Sequence, residues 1–321
     1  LVEVTVLNSW FRLTILLTLA LTASLAAALG IGRLMPTDEI AYAQSVASAS
    51  DIYLLDANRH IAMRLTHSDQ SEISPAWSPD GQQIAFLRYD GYRPINNGST
   101  PSLYIMDWNG ANQRRITDAL TLTGSPALSW SPDGSEIAYT MLDDSGTQGV
   151  FRIRLSEREQ SGQRLNRPQG NAFSPTWSPN GQLAFSWSPV ANSEIYVLDT
   201  ALITYLDSHT TIPEPRRITD NMYTDTTPSW SPDGAWIAFI SDRGGHSNIY
   251  LARPDGSDLH PVLEGAARDS TPSWSPDGSR LVFVSRRNDM NDLYIIGMDG
   301  TDLQRITFDH YNENSPVWRP R

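Results

Sequence analysis

Carboxylates recur in this chain at one fixed distance from a tryptophan. Five residues before Trp77, Trp130, Trp177, Trp230, Trp274 and Trp318 stand Glu72, Ser125, Ala172, Asp225, Asp269 and Glu313. If the acidic side chains among these converge in space, they form an electronegative ring that attracts a cation or a basic partner. Two carboxylates focused within a few ångströms can also do acid–base work on a bound substrate. The competing reading is local. A carboxylate or hydroxyl at such a position accepts backbone N–H bonds and organises the turn into the next strand.

Other chemistry is harder to find. There is no cysteine, which excludes disulfides, thiolate metal sites and a cysteine nucleophile. The chain contains no Gly-x-Ser-x-Gly nucleophile elbow, no His-Glu-x-x-His and no phosphate-cradling glycine loop. The histidines at 60, 67, 209, 246, 260 and 310 are scattered, and those at 209, 246 and 310 fall in an insertion and in loops. "NDMND" at 288–292 is rich in oxygen ligands but lacks the spacing of a calcium loop. No residue is assigned a catalytic, metal-binding or cofactor-binding role. The net charge of −12 and pI near 4.9 argue against nucleic acid, whose phosphates would be repelled.

The elements that position the acids are repeats. Successive motif tryptophans lie 53, 47, 53, 44 and 44 residues apart, a period of about 44 with insertions, which points to propeller blades. Each unit opens with a short apolar segment ending in tryptophan. Ser-Pro-Asp-Gly follows, with proline suited to the first central position of a type I turn and glycine to the positive φ after it. Apolar bursts come next, such as Ile84-Ala85-Phe86 and then Leu103-Tyr104-Ile105, and a last segment often reads Arg-apolar-Thr, as at Arg115-Ile116-Thr117. These are four strands per unit in an antiparallel meander. One such sheet cannot bury both faces alone, and a radial ring of them can.

The ends of the chain address closure. The sixth motif, Ser315-Pro316-Val317-Trp318, supplies only a first strand, and Glu39-Ile40-Ala41-Tyr42 matches Glu136-Ile137-Ala138-Tyr139 of the second-strand class. Ile52-Tyr53-Leu54 and Arg64-Leu65-Thr66 match the third and fourth. The expected fold is therefore all-β, a six-bladed propeller of four-stranded antiparallel blades over residues 38–321. Its shared blade joins 38–66 to 315–321.

The repeat "PxWSPDGxxIAFxSxRxGxxxIYxxxxDG" resembles the TolB-like β-propeller repeat, seen in a periplasmic protein and in the propellers attached to prolyl-peptidase enzymes. The resemblance covers nearly everything outside the N-terminus. It implies a scaffold role for Trp230, Pro232, Asp233 and Gly234, with tryptophan packed between blades. It leaves the function open, because this propeller hosts many unrelated roles.

The N-terminus is a different material. After a flank at 1–12, Leu13 to Gly32 runs for twenty residues without a charge, enough to span the roughly 30 Å core of a bilayer as a helix. Trp10 and Phe11 precede it, and Arg12 and Arg33 bracket it. Residues 13–34 therefore read as a transmembrane helix or uncleaved signal anchor. The rival is a cleaved signal peptide ending at Ala41 to Ala43, which would remove part of a strand of the shared blade.

Taken together, these features and the resemblance lead to a membrane-anchored propeller in the periplasm or extracellular space. It would serve as a binding or assembly module for other envelope or membrane proteins, with no nucleic acid and no cofactor. The candidate interaction face comprises Glu72, Asp225, Asp269 and Glu313 with the overhanging loop at 89–101, whose Tyr89, Tyr92 and Arg93 are residue types that binding loops carry. The insertion at 200–215 would lie on the opposite face. Two other readings stand beside this one: a channel-mouth hydrolase or lyase acting on a glycan or peptide, and a carbohydrate or small-ligand binder.

Overall fold

The computed structural model describes residues 38–321 except 47–48, 90–99, 118–119, 122–125, 157–161, 168, 191, 207–208 and 288, with the backbone alone at 204–206 and 209–210. Residues 13–34, read above as a membrane-spanning segment, lie outside the described residues. Among the described residues no helix is long and apolar enough to cross a membrane.

Six four-stranded antiparallel sheets follow one another. From the innermost strand outward, blade 1 is Glu72–Trp77, Gln83–Tyr89, Pro101–Asp107 and Arg114–Arg115. Blade 2 is Leu128–Trp130, Glu136–Leu142, Gln148–Arg154 and Gln163–Arg164, and blade 3 is Asn171–Trp177, Gln182–Ser188, Glu194–Asp199 and Arg216–Arg217. Blade 4 comprises Asp225–Trp230, Ile237–Ser241, Asn248–Ala252 and His260–Leu263. Blade 5 comprises Asp269–Trp274, Arg280–Ser285, Asp292–Gly297 and Gln304–Arg305. A small hairpin, Thr204–Leu206 with His209–Thr211, sits in the insertion between the third and outer strands of blade 3.

Blade 6 is the shared one. Its inner strand, Asn312–Trp318, pairs with Glu39–Val46, which pairs with Ala49–Asp56 and then Ile61–Arg64. Ile40 lies opposite Trp318 and Ala43 opposite Asn314, so the two ends of the propeller are joined by backbone ladder.

Strand alternation explains how each blade serves two cores. Ile84 and Phe86 pack toward blade 6, while Ala85 and Leu87, one residue out of step, pack toward blade 2. One hydrophobic cluster of this kind sits at each of the six blade junctions. The motif tryptophans stitch these junctions. Trp77, Trp130 and Trp274 donate their indole N–H to the inner strand of the preceding blade, at Val317 O (3.2 Å), Ala76 O (3.0 Å) and Ser229 O (3.0 Å).

The Ser-Pro-Asp-Gly turns are built from their own side chains. In blade 1 the Asp80 carboxylate accepts from Ser78 Oγ at 2.6 Å and from the Gln82 N–H at 3.0 Å, and Gly81 adopts φ +62°. Those hydrogen bonds hold the Asp80, Asp133, Asp233 and Asp277 carboxyls below the usual carboxylate range.

Upstream of the tryptophan, five inner strands carry a residue at φ near +50°: Ser74, Ser174, Thr227, Thr271 and Ser315. Each precedes proline, and the ladder slips at that point. Proline has no N–H to give the ladder, so a bulge there removes it from the pairing pattern.

Candidate functional site

The loops that enter each inner strand, and those between second and third strands, share one end of the ring, here called the mouth face. The structure places Glu72, Asp225, Asp269 and Glu313 at this end, each buried inside its own blade with 0–1% of its surface exposed. They do not line the central cavity of about 690 Å³, whose wall is the Ser/Thr-Pro-x-Trp segments, including Pro75, Trp130, Ser174, Thr227 and Thr271.

Three of the acids are paired with an arginine on, or two residues past the end of, the neighbouring strand. Glu72 Oε1 accepts from Arg88 Nε at 2.8 Å and from Ser68 Oγ. Asp225 binds Arg243 Nη2 through both oxygens, at 2.8 and 3.1 Å, and also accepts from Asn221 Nδ2 at 2.8 Å. Asp269 accepts from Ser285 Oγ at 2.5 Å and lies 3.5 Å from Arg287 Nη2. Each arginine is in turn seated over the tyrosine of the third strand, with Cζ 4.5 Å from Tyr104, 4.9 Å from Tyr250 and 5.6 Å from Tyr294. Burial pushes the Glu72 and Asp269 carboxyls up against the opposing pull of those bonds.

This geometry differs from both sequence expectations for the position. The acids bind arginine side chains instead of organising the turn through backbone N–H groups, and they present no open ring of negative charge. All 24 basic residues of the chain are arginines, whose planar fork suits a buried carboxylate and a ring face together. The repeat carries a signal for these partners: an arginine recurs 16 or 18 residues after the acid in blades 1, 4 and 5.

Blade 3 replaces the whole arrangement. Ala172 stands opposite Trp187, which packs edge-on against Tyr196 at 4.9 Å and donates its N–H to Gln169 O at 2.6 Å. Blade 6 keeps the acid and lacks the arginine. Glu313 accepts from Thr307 Oγ1 at 3.0 Å and from Gln44 Nε2 at 3.4 Å. Ser125 of blade 2 lies outside the described residues, as do Tyr92 and Arg93. Tyr89 is buried, with its backbone N–H bonded to Ser71 O.

Among the exposed side chains of the mouth face are several large apolar ones. Val190 is 95% exposed, Met222 83% and Tyr223 40%, and around the ring Phe308 is 62% and Tyr311 42% exposed. The first three lie on two loops that one amide ties together. Asn192 Nδ2 donates to Asn221 O at 3.0 Å, to Tyr223 O and to Glu194 Oε1 at 2.8 Å, tying the loop between the second and third strands of blade 3 to the loop entering blade 4. The repeat pattern does not mark these residues. The available signal was a large apolar side chain inside a stretch of turn composition, as in "DNMYTD". Among the described residues, no group of three or more histidines and carboxylates is placed to hold a metal ion.

A closed ring of six blades stitched by tryptophan, with arginine–carboxylate pairs at one end, defines a six-bladed β-propeller of the Trp-Ser-Pro-Asp-Gly type. Residues 91–269 match the TolB beta propeller domain family, and the chain belongs to that family. A TolB homolog of Chlorobium chlorochromatii is 29% identical over 192 residues, covering 56% of this chain and 38% of that protein. An uncharacterized peptidase of Bacillus subtilis, YuxL, is 24% identical over 196 residues, covering 60% of this chain and 25% of its own length. The chain thus spans well under half the length of these curated relatives. TolB from Acinetobacter baumannii superposes with a TM-score of 0.74 at 21% identity, over 88% of this chain and 67% of that one, a likeness of fold.

Proposed function

We propose that the propeller is a rigid docking module for other envelope or membrane proteins, with its mouth face as the contact surface. The observation that carries this reading is the set of exposed Val190, Met222, Tyr223, Phe308 and Tyr311 on loops of one face. Large apolar and aromatic side chains held out into solvent by a hydrogen-bonded loop are preorganised contacts, costing little further order when a partner covers them. The buried acids and their arginines keep the loop ends in register and make no direct contact themselves. On this reading the propeller lies outside the cytoplasm, in keeping with the TolB-like resemblance, and the apolar run at residues 13–34 tethers it.

A photo-crosslinking side chain introduced at Met222 in cells tests the surface. Discrete protein adducts from position 222 and none from Leu202, exposed at the opposite end of blade 3, support it, and adducts from neither overturn it. Membrane fractionation of the same cells tests the tether, and a mature protein beginning at Gln44 would contradict it.

A further inference from the structure

The closing blade repeats the blade 1 arrangement with glutamine in place of the arginine. Glu313 faces Gln44 in the ladder as Glu72 faces Arg88, and Tyr53 faces Tyr42 as Tyr104 faces Phe86. The acid and the aromatic of the arginine slot are both present, yet the cation is absent. In its place Gln44 Nε2 donates to Asp309 Oδ2 at 2.5 Å and to Glu313 Oε1 at 3.4 Å, and Asp309 lies within hydrogen-bonding reach of Glu313 itself. Two carboxyls therefore meet over one amide, one fully buried and the other at the surface.

The nearby cations are engaged elsewhere. Arg305 of blade 5 binds Asp292 at 2.7 Å, and Arg64 of blade 6 binds Asp51 at 2.8 Å. Around Glu313 stand Asp309 from its own loop, Asp292 from blade 5 and the phenol of Tyr42, with Thr307 donating its hydroxyl. Tyr53 and Tyr311 lie beyond, close to Asp309. Like charges this close cannot both ionise without cost when one is desolvated.

We propose that closure of the ring is proton-dependent: Glu313 is held as the neutral acid, donating its O–H to Asp309 across from Gln44, and loss of that proton loosens the seam between Asn312–Trp318 and Glu39–Val46. Burial, and then Asp309, push the Glu313 carboxyl up from 4.5 to about 8. A carboxyl raised in the folded state contributes stability that is full below its unfolded value and is lost as pH rises through the folded one. The window is therefore from about 4.5 to about 8, with no further loss from this group above it.

The test compares melting temperatures of the propeller, Glu313→Gln and Gln44→Arg from pH 5 to pH 9 at constant ionic strength. Glu313→Gln keeps the hydrogen-bonding shape without the charge, so its melting temperature should gain on the wild type steadily up to pH 8 and then run parallel. Gln44→Arg restores the blade 1 pair and should gain most at pH 8 and least at pH 5. Curves parallel to the wild type throughout, for both variants, overturn the proposal. If Glu313→Gln does not fold, the carbon resonance of the Glu313 carboxyl decides on the wild type. A midpoint near 8 supports the latch, and one near 4.5 overturns it.

Discussion

Replacing Arg319 with alanine should open the ring at its seam. Arg319 follows the last inner strand, and its side chain reaches into blade 1. Its Nη1 pairs with Glu39, its Nε donates to Gly81 O at 2.9 Å, and its guanidinium lies 5.0 Å from Trp77 and 4.9 Å from Trp108. Its backbone N–H bonds Glu39 O at 2.8 Å, a contact that alanine keeps. With only 6% of the side chain exposed and 10% of Glu39's, truncation leaves a carboxylate buried without a counterion. Breaking a buried pair from one side costs about 3–5 kcal/mol. Losing the two ring contacts adds roughly 0.5–1 kcal/mol each. At about 2–4 °C per kcal/mol for a chain of this order, the melting temperature should fall by roughly 8–28 °C. The assay is thermal and urea denaturation of Arg319→Ala, Glu39→Gln and the double variant, since removing both partners should cost less than the two single changes summed. A loss below about 1 kcal/mol for Arg319→Ala, within the range of an ordinary surface change, would refute the reasoning that this side chain clamps the seam.

Two further outcomes follow from the same architecture. Deleting residues 315–321 removes the last four residues of the closing blade's inner strand and the Arg319 clamp, so the product should aggregate or melt far below the wild type; an unchanged melting curve would contradict the shared-blade ladder. Asp225→Asn leaves Arg243 without its buried counterion and should cost about 2–4 kcal/mol in urea unfolding, whereas changing the exposed Asp220 beside Arg217 should cost under about 1 kcal/mol.

Much of the fold was legible because repetition multiplies a weak signal. One Trp-Ser-Pro-Asp-Gly segment says turn; four of them, a Trp-Ser-Pro-Asn-Gly variant at Trp177 and a sixth motif tryptophan, at a period near 44, say ring. The closing strand was legible for the same reason, since Glu39-Ile40-Ala41-Tyr42 can be matched to a copy whose neighbours are intact. The state of the acids was not. Whether Glu72 faces solvent or Arg88 depends on which residues the ladder sets opposite each other, and in blade 4 the arginine lies two residues beyond the ladder partner, Ser241. The behaviour of Glu313 depends on an absence, the glutamine at 44, which matters only once the register is known. Met222 and Tyr223 are not marked by the repeat because a loop has no periodicity to say which side chains point outward; the Asn192 amide that ties their loop lies 29 residues away.

The docking role is the central claim, and the loss of a named contact tests it most directly. A partner captured through position 222 would be purified and its affinity measured for the wild-type propeller and for Met222→Asp combined with Phe308→Asp. Both sites are exposed, so the variant should keep its melting temperature. Burying a charge at two anchor positions should weaken binding by more than about 30-fold, the scale of a hot-spot loss of 2 kcal/mol. An unchanged affinity in a folded variant would contradict the mouth face as the docking surface.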